Sequence, residues 1–379
     1  MVFLQNQLKK YSFIFLVFLL RMPAVCAQQE LDYTDRVFSS DIKTVQLYPK
    51  NEARGYPIIR LKSNDKLVLE FDDLSAESKN YNYVFIHCTP DWQPTDLMYT
   101  EYTEGFSDGQ ITDYKYSFNT LKNYLHYRLE FPEDDYKPLL SGNYLLLVYQ
   151  DYDRNRPVLS MRFRVLDEKT RISAEIKRSE IVNQADCCTQ FRVSVQDVSA
   201  GITDDLSSTA LYIHRNDSEV FALRDLLPDF VKGNLLEYNN PRKLYLPGGN
   251  EYRYTNLKNR KRRTDRVAEI SFNRPYYIYT LYPDIHKPHI YSNTKDINGK
   301  FVVTSDHTEY PDTEAEYVLA DFYLKTDQIF ADRELYLYGA FSNYKLLPEN
   351  RLEYDERHGM YSVRIMLKQG FYNYCYALY

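Results

Sequence analysis

The chain has 379 residues, 38 of them Tyr and 20 Phe, with only 12 Gly and 16 Pro and an apolar fraction of 44%. That balance excludes disordered, collagen-like and disulfide-scaffold classes and leaves a globular chain long enough for two to four domains. The net charge is −6, which does not favour nucleic acid, whose binding draws on counterion release by Lys and Arg.

At the N-terminus Lys9 and Lys10 precede the apolar run Tyr11 to Leu20, and Ala24-Val25-Cys26-Ala27 follows Pro23. This is the pattern of a cleaved secretory signal peptide, residues 1–27. The run is too short for a permanent membrane helix, so no membrane span is expected after cleavage. Val25 and the lack of a Leu three positions before Cys26 speak against lipidation of that cysteine. Cleavage removes Lys9, Lys10 and Arg21 and no acid, taking the net charge from −6 to −9. Cys88, Cys187, Cys188 and Cys375 remain. Four cysteines allow three fully paired connectivities, but neighbours such as Cys187 and Cys188 rarely bond each other and no metal spacing is present, so mostly buried thiols are expected.

Beyond the leader, period-two alternation dominates. Leu67, Leu69 and Phe71 share one face of a strand; Met161, Phe163 and Val165 do so with Arg162 and Arg164 opposite; Val363, Ile365 and Leu367 do so with Arg364 and Lys368 opposite. Such strands are half buried, and abundant Tyr and Phe suit their pleated surface. The fold class is all-β, a tandem of immunoglobulin-like β-sandwich domains.

A first block, residues 31–166, is predicted to hold strands near 41–48, 56–61, 66–72, 81–88, 112–118, 125–131, 143–150 and 158–166. A second, residues 168–308, holds strands near 171–178, 189–198, 209–215, 235–239, 250–256, 267–273, 276–282 and 300–305, with one short helix around Ser218 to Leu227. A third, residues 312–379, holds strands near 316–324, 334–341, 351–355, 360–367 and 371–379. Its last strand, Phe371 to Tyr379, stops without a following turn or polar tail, so this domain is expected to be incomplete, with an edge open for a partner.

Chemical motifs are few. There is no Walker loop, dinucleotide fingerprint, nucleophile elbow, His-Glu-x-x-His helix or paired Cys-x-x-Cys, so no catalytic, cofactor-binding or metal residue is assigned. His286 and His289 are one turn apart, but Pro288 between them opposes a helix, and a solvated loop is favoured over a metal pair. Asp72-Asp73, Glu133-Asp134-Asp135 and Asp151-Tyr152-Asp153 lack calcium-loop spacing and lie where strands end, which favours surface turns over an acid-base pair. Lys258, Arg260, Lys261, Arg262 and Arg263 are the sharpest charge feature; they make either a solvated loop or a contact for an anionic partner. The tyrosines read mainly as thin sandwich cores and half-exposed faces with hydroxyls reaching water, and secondarily as a binding surface.

Several phrases carry a resemblance. They are Tyr56-Pro57-Ile58-Ile59-Arg60-Leu61, Tyr83-Val84-Phe85-Ile86-His87-Cys88 leading to Asp91-Trp92, Gly105-Phe106 with Ile111-Thr112-Asp113-Tyr114, and His126-Tyr127-Arg128-Leu129-Glu130-Phe131-Pro132. Ser141-Gly142-Asn143-Tyr144, Pro247-Gly248-Gly249-Asn250-Glu251 and Lys295-Asp296-Ile297-Asn298-Gly299-Lys300-Phe301 continue it. In this order, from about Tyr33 to Tyr379, they resemble the type IX secretion system plug proteins. The resemblance implies a periplasmic protein at the inner face of the outer membrane, whose partner is the giant β-barrel translocon of that system and whose role is to close its mouth when no cargo is engaged. It implies no catalytic residue and no cofactor.

A looser likeness lies in the third block. Gly339-Ala340-Phe341-Ser342-Asn343-Tyr344, Gly359-Met360-Tyr361 and Gly370-Phe371-Tyr372-Asn373-Tyr374 are similar to early-set immunoglobulin-like modules related to glycogen-binding domains. Those modules usually have Trp where Tyr344 stands. An envelope carbohydrate-binding protein using Tyr344 is therefore the alternative reading; a hydrolase built on the clustered carboxylates is the third.

Overall fold

The computed structural model describes residues 31–379 except 200, 203–205, 217, 250–251, 286–295, 328 and 331. The expected signal peptide, the His286/His289 pair, Asn250-Glu251 and Lys295 lie outside the described residues. Among the described residues no helix is long and apolar enough to cross a membrane.

Every strand expected in the first block forms. Two antiparallel sheets face each other. One runs Arg36–Val37, Asp153–Leu166, Gly142–Gln150, Tyr81–Cys88, Gly109–Ile111, with Ile58–Arg60 parallel to the end of Asp153–Leu166; the other runs Ile42–Pro49, Leu67–Asp73, Leu125–Phe131, Asp113–Tyr116. The alternation works as read: Met161, Phe163 and Val165 are buried while Arg162 and Arg164 on the opposite face are half-exposed. Aromatic rings fill the space between the sheets, with Phe85 stacked on Tyr136 at 4.6 Å and Tyr144 on Phe163 at 5.2 Å. Offset and edge-on rings add to the stabilisation that burial alone supplies.

Thr170–Arg178, Cys188–Asp197, Leu235–Tyr238 and Phe230–Lys232 form the middle sheet, with Tyr245–Pro247 on Cys188–Asp197; the hairpin Leu211–Arg215/Ser218–Leu226 faces it across Val193, Val195 and Leu236. Ser218–Leu226, expected as a helix, is thus a strand. Its leading Ser and acidic residues imitate a helix start, but pairing with Leu211–Arg215 satisfies its backbone across the hairpin.

The third block extends further back in sequence than its predicted start at 312. Its 10-stranded sheet runs Arg253–Asn256, Gly370–Leu378, Leu335–Tyr338, Arg351–Asp355, Met360–Lys368, Tyr317–Lys325, Tyr276–Leu281, Val267–Asn273, and also takes in Asp284–Ile285 and Phe301–Val303. Strands placed by sequence in the 168–308 block therefore pair with the C-terminal strands. The hub is Gly370–Leu378, which bonds Arg253–Asn256, Phe301–Val303 and Leu335–Tyr338. The open edge expected along this strand is thus occupied by partners from within the chain. Tyr372 and Tyr374 put their rings into the core that the sheet encloses with Tyr279 and Phe322.

The largest departure from alternation is Leu67–Asp73, where all seven residues are buried. Its Leu67, Leu69 and Phe71 face the first sandwich core, while Glu70 and Asp72 on the other face are covered by the last sheet. A β-sheet with one wet face was the expectation; the last sheet removes the water.

Candidate functional site

The seam between the first sandwich and the last sheet is built around Asp72. This carboxylate is fully buried and collects Nζ of Lys368 at 2.7 Å, the Tyr317 hydroxyl at 2.6 Å and Nδ1 of His126 at 2.8 Å. Lys368 also donates to the Asp312 carbonyl at 2.6 Å and lies 4.2 Å from the Tyr124 ring centroid. Tyr317 bonds Thr44 at 2.6 Å, and the Tyr124 hydroxyl donates to the Ala315 carbonyl at 2.9 Å. Burial by itself would push the Asp72 carboxyl up, but Lys368 and His126 override it and hold it below the ordinary carboxylate value. Burial draws the Lys368 ammonium down, so the pair rests on Asp72, which three donors fix in its charged form.

Asp72-Asp73 is accordingly no surface turn. Asp73 is also fully buried, with Lys79 at 2.9 Å and the Tyr81 hydroxyl at 2.8 Å. The other two clusters sit in turns: Glu133, Asp134 and Asp135 are exposed, and Asp151-Tyr152 is an exposed turn in the left-handed region. Lys368, placed by alternation on an outer face, is 1% exposed. A strand pattern cannot reveal that another sheet lies on its polar face.

The basic segment divides in two. Arg260 pairs at 3.1 Å with the buried Glu316, which also accepts the Leu121 amide at 3.0 Å, so Arg260 is part of the same seam. Burial pushes the Glu316 carboxyl up against these partners. Lys258 lies 3.4 Å from Asp306. Arg263 is exposed and caps the Ala268 carbonyl at 3.0 Å. Lys261 and Arg262 are exposed, with no ion pair among the described residues. The segment is a loop between strands, and its outward charge comes from Lys261, Arg262 and Arg263.

Tyr344, the sugar-binding candidate, lines a cavity of about 160 Å³ with Tyr56, Trp92, Arg162, Arg164 and Lys300. Its hydroxyl donates to the Asn298 carbonyl at 3.2 Å and its ring meets Tyr338 edge-on at 5.7 Å. Two neighbouring rings in this cavity are covered. Arg162 covers Trp92 at 4.3 Å, and Lys300 covers Tyr56 at 4.3 Å while donating to the Arg54 and Gly55 carbonyls at 2.6 and 2.7 Å. Stacking on a sugar needs a bare ring face; at Trp92 and Tyr56 a cation holds one face.

The four described cysteines are free, but only Cys88 is buried; Cys187 is exposed and Cys188 and Cys375 are half-buried. The adjacent Sγ atoms of Cys187 and Cys188 are 3.1 Å apart. Many tyrosine hydroxyls also end on buried acceptors instead of water. Tyr374 and Tyr376 both bond Asp284 at 2.8 Å, where Arg253 at 2.9 Å and Arg266 supply the charge.

Residues 42–167 match the protein-family model described as type 9 secretion system plug protein 1st domain. No curated protein shows significant similarity to the chain. A crystal structure at 2.30 Å described as a hypothetical protein from Parabacteroides merdae ATCC 43184 is similar, at 28% identity and a TM-score of 0.86, over 92% of this chain and 88% of that one. A Pseudomonas fluorescens alkylpurine DNA glycosylase AlkC bound to DNA containing an abasic site analog has 11% identity over 34% of this chain and 31% of that one; its TM-score of 0.21 carries no argument. The match lies over the first sandwich, in the region where the sequence resemblance is densest, and supports a likeness to the type IX secretion system plug family.

Proposed function

We propose that this protein is a periplasmic stopper of the type IX secretion system, docking on the outer-membrane β-barrel translocon and occluding it when no cargo is engaged. The observation that carries this reading is the match of residues 42–167 to the plug protein's first domain. The seam supports it physically. A stopper has to keep its contour against a wide channel, and a body whose first and last domains are cross-linked through Asp72, Lys368, Tyr317, Arg260 and Glu316 has little ordering entropy to lose on docking. Release requires a separable contact, for which a polar, charged rim is suited.

The test is genetic. In a strain whose translocon lacks its cargo-shuttling partner, deleting this gene is expected to make the outer membrane leaky to a small-molecule reporter, and re-expression is expected to restore the barrier. Unchanged permeability in the deletion strain would overturn the proposal.

A further inference from the structure

On the outer face of the first sandwich, Glu70 and His126 sit on neighbouring strands, Leu67–Asp73 and Leu125–Phe131. The register pairs Glu70 with Arg128 and Asp72 with His126, so Glu70 and His126 are diagonal neighbours on one face. Asp312, in the short helix Pro311–Glu314, reaches the same place from the last domain. One ligand-type atom from each of the three lies within 4.8 Å of the others. We propose that Glu70, His126 and Asp312 hold one divalent transition-metal ion of the zinc type, which clips the last domain to the first.

Three observations converge. First, His126 is only 8% exposed, and its Nδ1 is held by Asp72 at 2.8 Å, which fixes the ring, so that in this proposal Nε2 is the ligating nitrogen. A carboxylate orienting the far nitrogen of an imidazole is the usual outer support of a metal-bound histidine. Second, the charges do not balance. Glu70, Asp72, Glu130 and Asp312 face Arg128, Lys368 and Lys50, four acids against three bases, leaving one negative charge over for a cation to offset. Third, Glu70 spends one contact per oxygen, on Arg128 and on the Tyr48 hydroxyl at 2.7 Å, and each carboxylate oxygen retains a lone pair.

The donor set selects the ion. One imidazole nitrogen with two carboxylate oxygens suits zinc and its neighbours, whereas calcium and magnesium take all-oxygen shells. Zinc ligands about 2.0–2.2 Å from the metal stand roughly 3.3 Å apart in a tetrahedron, so the donors must draw in slightly. The exposed Asp312 side chain is the one with freedom to do so.

The inference rests on nothing in the secretion reading, and its test needs no partner. The mature chain carrying Cys187→Ser and Cys188→Ser, to remove the vicinal thiols as competing ligands, is stripped with chelator and titrated with ZnCl₂ by calorimetry and by thermal unfolding. One equivalent of Zn²⁺ and a raised unfolding midpoint are expected. Asp312→Asn, at an exposed position that leaves the buried network intact, is expected to lose both effects while keeping the metal-free midpoint; His126→Gln is expected to lose binding as well. Absence of stoichiometric binding, or binding that survives Asp312→Asn, would overturn the proposal.

Discussion

At the scale of single residues, Asp72 is the most consequential side chain in the molecule, because it is a charge without water whose neutralising partner, Lys368, comes from the far end of the chain. Removing one partner of a buried pair leaves the other uncompensated and costs about 3–5 kcal/mol. Lys368→Met is therefore expected to lower stability by that amount in urea denaturation, and adding Asp72→Asn to it is expected to recover part of the loss. The same group governs acid behaviour. Asp72 and Asp73 are buried and Asp108 half-buried, which opposes their ionisation, yet each is held below the usual value by donors: Lys368 and His126; Lys79, Ser75 and Tyr81; Ser107, Tyr149 and Arg154. Depressed folded-state values mean that the unfolded chain takes up protons first as pH falls. Their stabilisation is present above the unfolded carboxylate value of about 3.9 and is lost as pH drops through the lower folded values. Glu316, raised by burial, has the opposite sign and offsets part of this. Denaturation midpoints measured from pH 7 to pH 3 should fall steeply below about pH 4, and Asp72→Asn should flatten that fall.

Among the elements, the strand Gly370–Leu378 decides whether the last sheet closes. Gly370 makes this possible by its lack of a side chain, since a Cβ there would stand 2.3 Å from the Val302 carbonyl and 3.2 Å from the Tyr372 ring. Backbone is the obstruction, so no rotamer change relieves it. Gly370→Ala is expected to cost about 1–3 kcal/mol, the range of overpacking substitutions, read as a lowered thermal midpoint, with the Phe301–Val303 strand becoming the first site of proteolysis. Strand positions were legible in sequence wherever one face stayed wet, as in Asp153–Leu166 with Arg162 and Arg164 outward. Leu67–Asp73 was placed correctly but the burial of its polar face was not legible, and the strand type itself was missed where a polar start imitates a helix, as in Ser218–Leu226.

For the molecule as a whole, the basic loop is half fastener and half free surface. Arg260 ties Glu316 and through it Leu121 of the first sandwich, whereas Lys261, Arg262 and Arg263 project outward. Reversing these three to Glu should leave folding stability within about 0.5 kcal/mol, as for ordinary surface substitutions. If an anionic rim receives the loop, the same variant should lose co-purification with the translocon. Undiminished recovery of the translocon with this variant would make the loop merely solvated. Arg260→Glu, by contrast, should destabilise the isolated protein by placing two acids together in a half-buried seam.

The sequence by itself determined the β class, every strand of four residues or more except Ser218–Leu226, and the family resemblance, because side-chain alternation, turn residues and ordered local phrases are properties of neighbours along the chain. It did not determine which strands share a sheet, that Asp72-Asp73 and Lys368 are buried, or that His126, Glu70 and Asp312 meet. Those depend on one sheet covering another's polar face. Asp72 and Lys368 are 296 positions apart, a separation over which no periodicity persists and only the packed structure selects the partner.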